Sequence, residues 1–243
     1  REGRAHGWWL DQRSLICAPH SDSDRKASLF AGSRPVPPTR RSGIPALRDE
    51  CQNSFVNSDR EVVGLTVSGA SIMVARHDDV QRIQAMLSTA FHRVAALGYQ
   101  QWWDPFPIET IEDSVRRSET YVAIENGTLL GTIALQWDDP TYWGERPPDS
   151  GYIHRLCTDA EVARPGRGVE LLSWAASMAS HRDRDWIRLD APASNARLRS
   201  YYESLGFSFR GETEATVKGA SGTLETWRCA LYERSTQSPR PEG

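Results

Sequence analysis

Hydrophobic and polar positions follow no sustained period over residues 1 to 66, and a legible pattern begins only at Ala70. Ser71 to Arg76 predicts a first strand. Asp78-Asp79 then opens a helix that carries Val80, Ile83, Met86, Leu87 and Phe91 at helical spacing and ends at Gly98. An aromatic loop, Trp102-Trp103-Asp104-Pro105-Phe106-Pro107, leads into a short helix from about Ile108 to Arg117. Thr120 to Glu125 and Leu129 to Trp137 read as strands joined by Asn126-Gly127, a dipeptide that tolerates the left-handed backbone of a tight hairpin. Residues 138–149 form a long acidic loop containing Trp143. Tyr152 to Thr158 predicts a strand, and Val169 to about Ser180 a helix with Leu171, Leu172, Ala175, Met178 and Ala179 on one face. Trp186 to Asp190 follows as a strand at parallel-crossover distance. Ser194-Asn195 opens a helix that Gly206 closes, and strands near 207–212 and 223–232 complete the domain. This order predicts an α/β fold with a mixed sheet.

The first 66 residues are rich in Ser, Arg, Pro and Asp, and Arg34-Pro35-Val36-Pro37-Pro38 favours extended polyproline geometry. The expected organisation is a disordered or non-native extension over 1–66, the folded domain over 67–234 and a disordered tail over 235–243. Because the chain begins with Arg1, translation is expected to start further in, at Val62 or Val63.

Composition narrows the class. A chain of 243 residues with 39% hydrophobic residues suits one ordinary domain and an appendage. No apolar run approaches the roughly 18 residues of a membrane helix, and Trp8-Trp9-Leu10 is too short for a signal peptide, so the expected location is cytoplasmic. Cys17, Cys51, Cys157 and Cys229 show no Cys-x-x-Cys spacing and are expected to be reduced thiols, the last two inside strands. Residues 1–60 carry ten Lys and Arg against seven Asp and Glu, which leaves the remainder with a net charge of −6. An acidic folded part speaks against a nucleic-acid-binding domain, while a basic tail that recruits a partner stays open.

Chemistry concentrates where the strand ending at Thr158 meets the helix beginning near Val169. Ala163-Arg164-Pro165-Gly166-Arg167-Gly168 is a basic glycine loop, and a helix that opens from such a loop offers unpaired N–H groups and partial positive charge to an anion. Arg164 and Arg167 would add mobile charge. A plain strand-to-helix connection is the alternative. A dinucleotide fingerprint would need glycine at Leu171, and a P-loop would need Gly-Lys-Ser/Thr, which does not occur.

The order of strand, basic Gly-x-Gly loop, helix, strand, Asn195-headed helix, Tyr202 and Leu205-Gly206-Phe207 resembles the GNAT family of acyl-CoA N-acyltransferases, from about Ala70 to Tyr232. The resemblance implies a mixed sheet flanked by helices, whose two central parallel strands splay apart to admit the pantetheine arm of coenzyme A. It implies that Leu156, Cys157 and Thr158 offer backbone groups to pantetheine. Ala163, Arg164, Gly166, Arg167, Gly168 and Val169 would cradle the pyrophosphate. Asn195 would touch the cofactor near its thiol, or cap its helix, and Tyr202 would bind the cofactor and donate a proton. The sequence departs from the family pattern at Ala163, where Gln or Arg is usual, and at Pro165, which removes an N–H. A Glu base of some relatives is replaced by Tyr152.

Acetyl transfer to an amine needs two proton movements. A tyrosine near 10 can protonate a thiolate near 8.5 at modest cost, whereas freeing a lysine-like amine near 10.4 at pH 7 costs about 4 to 5 kcal/mol. His154 is the candidate base, because two-residue spacing in a strand would put it on one face with Leu156; a structural histidine is equally compatible. Asp138, Glu145 and Asp149 are alternatives that would attract the ammonium. Trp103, Trp137 and Trp143, with Trp102, would form an aromatic wall for the acceptor if they converge. The expected reaction is direct transfer from acetyl-CoA to a small-molecule or peptide amine. No metal, nucleic acid or membrane is expected, and a homodimer is the expected assembly. A non-catalytic acyl-CoA-binding domain is the rival reading.

Overall fold

The computed structural model describes residues 60–66, 68–219 and 221–237. Eight strands form one sheet in the order β1-β2-β3-β4-β5-β6-β8-β7. They are β1 (Val62–Leu65), β2 (Ser71–Val74), β3 (Thr120–Glu125), β4 (Thr128–Gln136), β5 (Ser150–Thr158), β6 (Trp186–Pro192), β7 (Ser208–Lys218) and β8 (Leu224–Ser235). The helices are α1 (Val80–Ala96), α2 (Ile108–Arg116), the single-turn α3 (Pro140–Trp143), α4 (Arg167–Ser180) and α5 (Ala196–Ser204). Every neighbouring pair is antiparallel except β5 with β6.

Two apolar clusters cover the sheet. Leu171, Leu172 and Ala175 of α4 and Leu198, Tyr201 and Tyr202 of α5 pack on Ile133, Leu135, Ile153 and Leu156. Val80, Ile83, Met86 and Leu87 of α1 pack with Ile111 of α2 on Val122 and Cys157. The helical spacing in the sequence therefore marks the buried stripes of α1 and α4, although Phe91 is only half-buried. Asn126 and Gly127 adopt φ of 50° and 76°, the left-handed pair that the hairpin between β3 and β4 requires.

The sheet begins earlier than residue 67. Val62–Leu65 pairs with β2, and Trp174 Nε1 donates to Val63 O at 3.3 Å. Gly64 allows this contact, since a Cβ there would lie 2.5 Å from Trp174 Cδ1. A four-residue edge strand held by main-chain bonds and one indole leaves no periodic trace in the sequence. The expectations for residues 1–59, including the polyproline stretch, fall outside the described residues. Strands β7 and β8 also run longer than predicted, and Ala215 pairs with Trp227 in their extension. Among the described residues no helix is long and apolar enough to cross a membrane.

Candidate active site

The parallel pair is joined only over its first half. Ser150 to Ile153 pair with Trp186 to Leu189, after which β6 continues along β8 to Pro192 and, among the described residues, β5 has no strand on that side. A bulge drives the separation. Ala134 faces His154 while Thr132 faces Cys157, so Arg155 and Leu156 together oppose one residue of β4, and Arg155 takes φ of 49°. The gap opens into a cavity of about 500 Å³, lined at the strands by Ile153, Leu156, Leu189 and Pro192 and at α5 by Leu198 and Tyr202.

The bulge corrects one expectation. Ile153 and Leu156 both pack in the cluster beneath α4 and α5, and Cys157 turns to the α1 side. Two-residue spacing therefore does not put His154 on one face with Leu156, because the extra residue resets the alternation. Both still reach the cavity, which passes through the gap.

At one end of the gap stands the glycine loop. Helix α4 opens at Gly166, whose φ is 91°, and no side chain caps it; the Arg167 amide turns back to Arg164 O at 3.3 Å, which leaves the amides of Gly168 and Val169 to a ligand. Asp159 shapes the approach by accepting from Glu161 N at 2.8 Å and Val162 N at 3.3 Å. Ala163 is half-buried and Val169 partly covered, while Arg164 is exposed. Arg167 departs from the expectation of a mobile charge. It is 2% exposed, and its Nη1 donates to Thr66 Oγ1 at 2.7 Å and to Glu170 Oε2 at 3.1 Å. Thr66, just past β1, and the i,i+3 glutamate hold it inward, leaving Arg164 as the loop's exposed cation.

The other end carries ionisable side chains. His154 Nε2 lies 3.4 Å from Asp139 Oδ2 and its Nδ1 3.8 Å from Asp190 Oδ1. Asp139 is buried and also caps α3 by accepting from Tyr142 N at 3.3 Å. Burial opposes charge on all three groups. It lowers His154 to about 3, helped by the Arg155 charge, and raises Asp139 to about 7, helped by the Asp190 charge. Burial likewise raises Asp190 to about 6, against a hydrogen bond from Cys229. A neutral imidazole between two carboxyl groups can take up and pass on a proton. Their ligand atoms lie within 4.8 Å of one another, close enough to hold a metal ion. Tyr202 lines the same cavity, and its hydroxyl makes no hydrogen bond among the described residues. Burial raises its phenol, which keeps it protonated.

The remaining sequence candidates divide. Trp103 lines the cavity together with Trp102, and stands edge-on to Trp227 with ring centres 5.3 Å apart. Trp137 and Trp143 do not join them. Trp137 stacks under Arg182 at 4.4 Å, and Trp143 is buried with Tyr152 and Leu231 beneath Arg188. Asp138 and Glu145 are exposed and outside the cavity lining, and Asp149 is engaged by Ser150 at 2.7 Å and Arg188 at 3.0 Å. Asn195 caps α5, its Oδ1 accepting from Leu198 N at 3.0 Å. Cys157 is a fully buried thiol, and Thr158 is buried beside it. Sequence reasoning missed Asp139, Arg155, Asp190 and Trp227. Asp190 had a signal, a carboxylate inside the apolar run of β6; the others had none.

The acetyltransferase (GNAT) family model matches residues 80–207. The S-(2-succino)cysteine N-acetyltransferase of Bacillus subtilis (strain 168) is 23% identical over 141 residues, covering 56% of this chain and 82% of its own. A GNAT-family acetyltransferase from Listeria monocytogenes 4b F2365 has a TM-score of 0.55 at 22% identity, covering 73% of this chain and 99% of its own. At that identity the likeness is one of fold.

Proposed function

The chain belongs to the GNAT family of acetyltransferases, and from this premise we propose that it transfers the acetyl group of acetyl-CoA directly to a primary amine of a small molecule or peptide. The observation that carries the reading is the β5–β6 gap, which runs from an uncapped helix N-terminus to a buried acid–base group. The amides at Gly168 and Val169 hold the pyrophosphate, and the stretch of β5 from Leu156 to Thr158, beyond the point where β6 parts from it, receives the pantetheine arm.

The amine loses a proton before or as it attacks the thioester carbonyl. Neutral His154 accepts that proton as the C–N bond forms; burial makes the imidazolium costly, and Asp139 and Asp190, one at each ring nitrogen, offset part of that cost when ionised. The new C–N bond forms as the C–S bond breaks, and the electron pair leaves on sulfur. Tyr202 donates toward that thiolate. Since its phenol is raised above 10, full transfer is more uphill than for an exposed tyrosine, and much of its contribution is hydrogen-bond donation to the developing charge. The named Bacillus relative acts on a substituted cysteine, which favours a small-molecule acceptor over a protein one.

The test is release of free CoA thiol from acetyl-CoA across a panel of primary amines, with acetyl-CoA affinity measured in parallel by calorimetry. Amine-dependent release with micromolar binding is the expected result. Saturable binding without release by any amine would leave a non-catalytic acyl-CoA-binding domain as the reading.

A further inference from the structure

Arg155 is bound unlike the buried arginines Arg188 and Arg167, each of which meets a carboxylate. Arg188 gives Nε to Glu233 at 2.7 Å and Nη1 to Asp149 at 3.0 Å, and Arg167 reaches Glu170. Arg155, at the bulge that opens the cavity, has only a hydroxyl: its Nη2 donates to Ser114 Oγ at 2.7 Å. Its Nε is shut off from solvent and makes no hydrogen bond. Among the described residues no carboxylate comes within 4.0 Å of it. Glu119, the acid whose charge reaches it, already accepts from Arg117 Nε at 2.9 Å and Gln136 Nε2 at 2.8 Å.

A guanidinium taken from water without an anion is costly, and burial accordingly lowers Arg155 to about 10. Coenzyme A does not account for it. The pyrophosphate loop opens α4, whereas Arg155 is fixed to Ser114 of α2, whose Ile111 packs on the opposite face of the sheet. Arg155 lines the cavity beside Arg117 and Gln136, and it is adjacent in sequence to His154. One region thus holds acids suited to an ammonium and, next to them, an arginine suited to a carboxylate.

We infer that Arg155 binds a carboxylate of the acceptor, so that the acceptor is of the amino-acid class, a primary amine and a carboxylate on one small molecule. This rests on the acetyltransferase reading of the same site. It excludes polyamines as preferred acceptors, and peptides whose first residue is not acidic, because neither places a carboxylate near its amine.

The experiment compares free amino acids with the amines obtained by deleting their carboxylate, using CoA release by wild type, Arg155→Gln and Arg155→Lys, with thermal melts as the folding control. Wild type should favour the amino acid by about thirtyfold or more in kcat/KM, the scale of one charge-assisted pair. Arg155→Gln should bring that ratio near one through KM for the amino acid, with acetyl-CoA affinity retained, and Arg155→Lys should lie between. Equal loss on both acceptor types, or a wild-type preference for the amine, would overturn the inference. If Arg155→Gln does not fold, the wild-type ratio alone decides. If no amine releases CoA, the transferase reading fails separately. Tryptophan-fluorescence titration with N-acetyl amino acids and their carboxamides then decides: a preference for the acid that is weakened in Arg155→Lys and lost in Arg155→Gln supports the carboxylate site, and indifference overturns it.

Discussion

At the α4 end of the β5–β6 gap, where we propose that coenzyme A binds, the groups offered to a ligand are the main-chain amides of Gly168 and Val169, from one short run of chain. At the acceptor end they are side chains brought from the α1–α2 loop, the β4–α3 connection, β5, β6 and β8: Trp103, Asp139, His154, Asp190 and Trp227. The first end works through backbone shape and one helix dipole, so it needs glycine and a helix start. The second works through protons and charges whose values depend on burial and on each other. The two should therefore fail independently, the loop in cofactor affinity and the cavity in turnover and acceptor choice.

The strongest separation should come from His154→Gln. Loss of a positioned base typically costs about 10²- to 10⁴-fold in kcat, while the helix N-terminus is untouched. Single-turnover rates and acetyl-CoA calorimetry on the same preparation check this; a parallel loss of acetyl-CoA affinity would show that the two ends are one unit.

The pH profile gives the next largest effect. Asp139 supports the imidazolium only when ionised, and its value of about 7 means that its charge is lost as pH falls below 7. The acceptor amine itself contributes one power of ten per pH unit over the whole range below about 10. The logarithm of kcat/KM in wild type should thus steepen below pH 7 by up to one further unit per pH unit. In Asp139→Asn that added steepening should vanish, with a lower plateau above. Asp190, Asp138 and His154 face the same carboxyl or bear on its charge, so the observed midpoint belongs to the group. Stability carries the opposite sign from a salt-bridged acid: a carboxyl raised in the folded state binds more protons there than when unfolded. Folding is therefore favoured below pH 4, and that contribution is lost as pH rises to about 7.

This contrast also explains what the sequence made legible. The loop could be read because its parts are neighbours in the chain: the strand, Gly166, Gly168 and the apolar stripe of α4. Asn195 and Gly206 likewise announce the ends of α5 by local capping chemistry. His154 was visible as a polar residue in an apolar strand, yet its partners were not. Asp139 is separated from it by fifteen residues and stands beside Asp138 in a long acidic loop, where nothing local singles it out. The bulge at Arg155 breaks strand periodicity without any glycine or proline to mark it. The tryptophans near residues 137 and 143 looked like a wall with Trp103 only because they are close in sequence to the cavity's acids. Trp227, far along the chain, is the one that meets it.

Gly166→Val tests the loop at a smaller scale. A β-branched residue held at φ of 91° costs on the order of 1 to 3 kcal/mol, although no neighbouring atom lies within 4 Å of the added Cβ. Relaxation of that strain would tilt the first turn of α4. Acetyl-CoA Kd should rise by about tenfold, with acceptor KM at saturating acetyl-CoA changed by much less. An equal rise in both would mean that the loop position is transmitted along β5 to the acceptor cavity.

The smallest effect separates the tryptophans themselves. Trp103 lines the cavity and donates from Nε1 to Glu225 Oε2 at 2.9 Å, tying the aromatic loop to β8. Trp103→Phe keeps a ring but loses this bond, which is worth about 1 kcal/mol and should raise acceptor KM by about two- to fivefold with little change in Tm. Trp143→Phe should do the reverse. The smaller ring leaves a void beneath Arg188 and against Tyr152, which costs stability. Part of that cost is offset because the Trp143 Nε1 is buried without a hydrogen-bond partner. A net loss of about 1 kcal/mol, seen as a lower Tm with acceptor KM unchanged, is the expected outcome. A shift in acceptor KM for Trp143→Phe matching that of Trp103→Phe would place both rings in the acceptor wall and undo the distinction drawn between them.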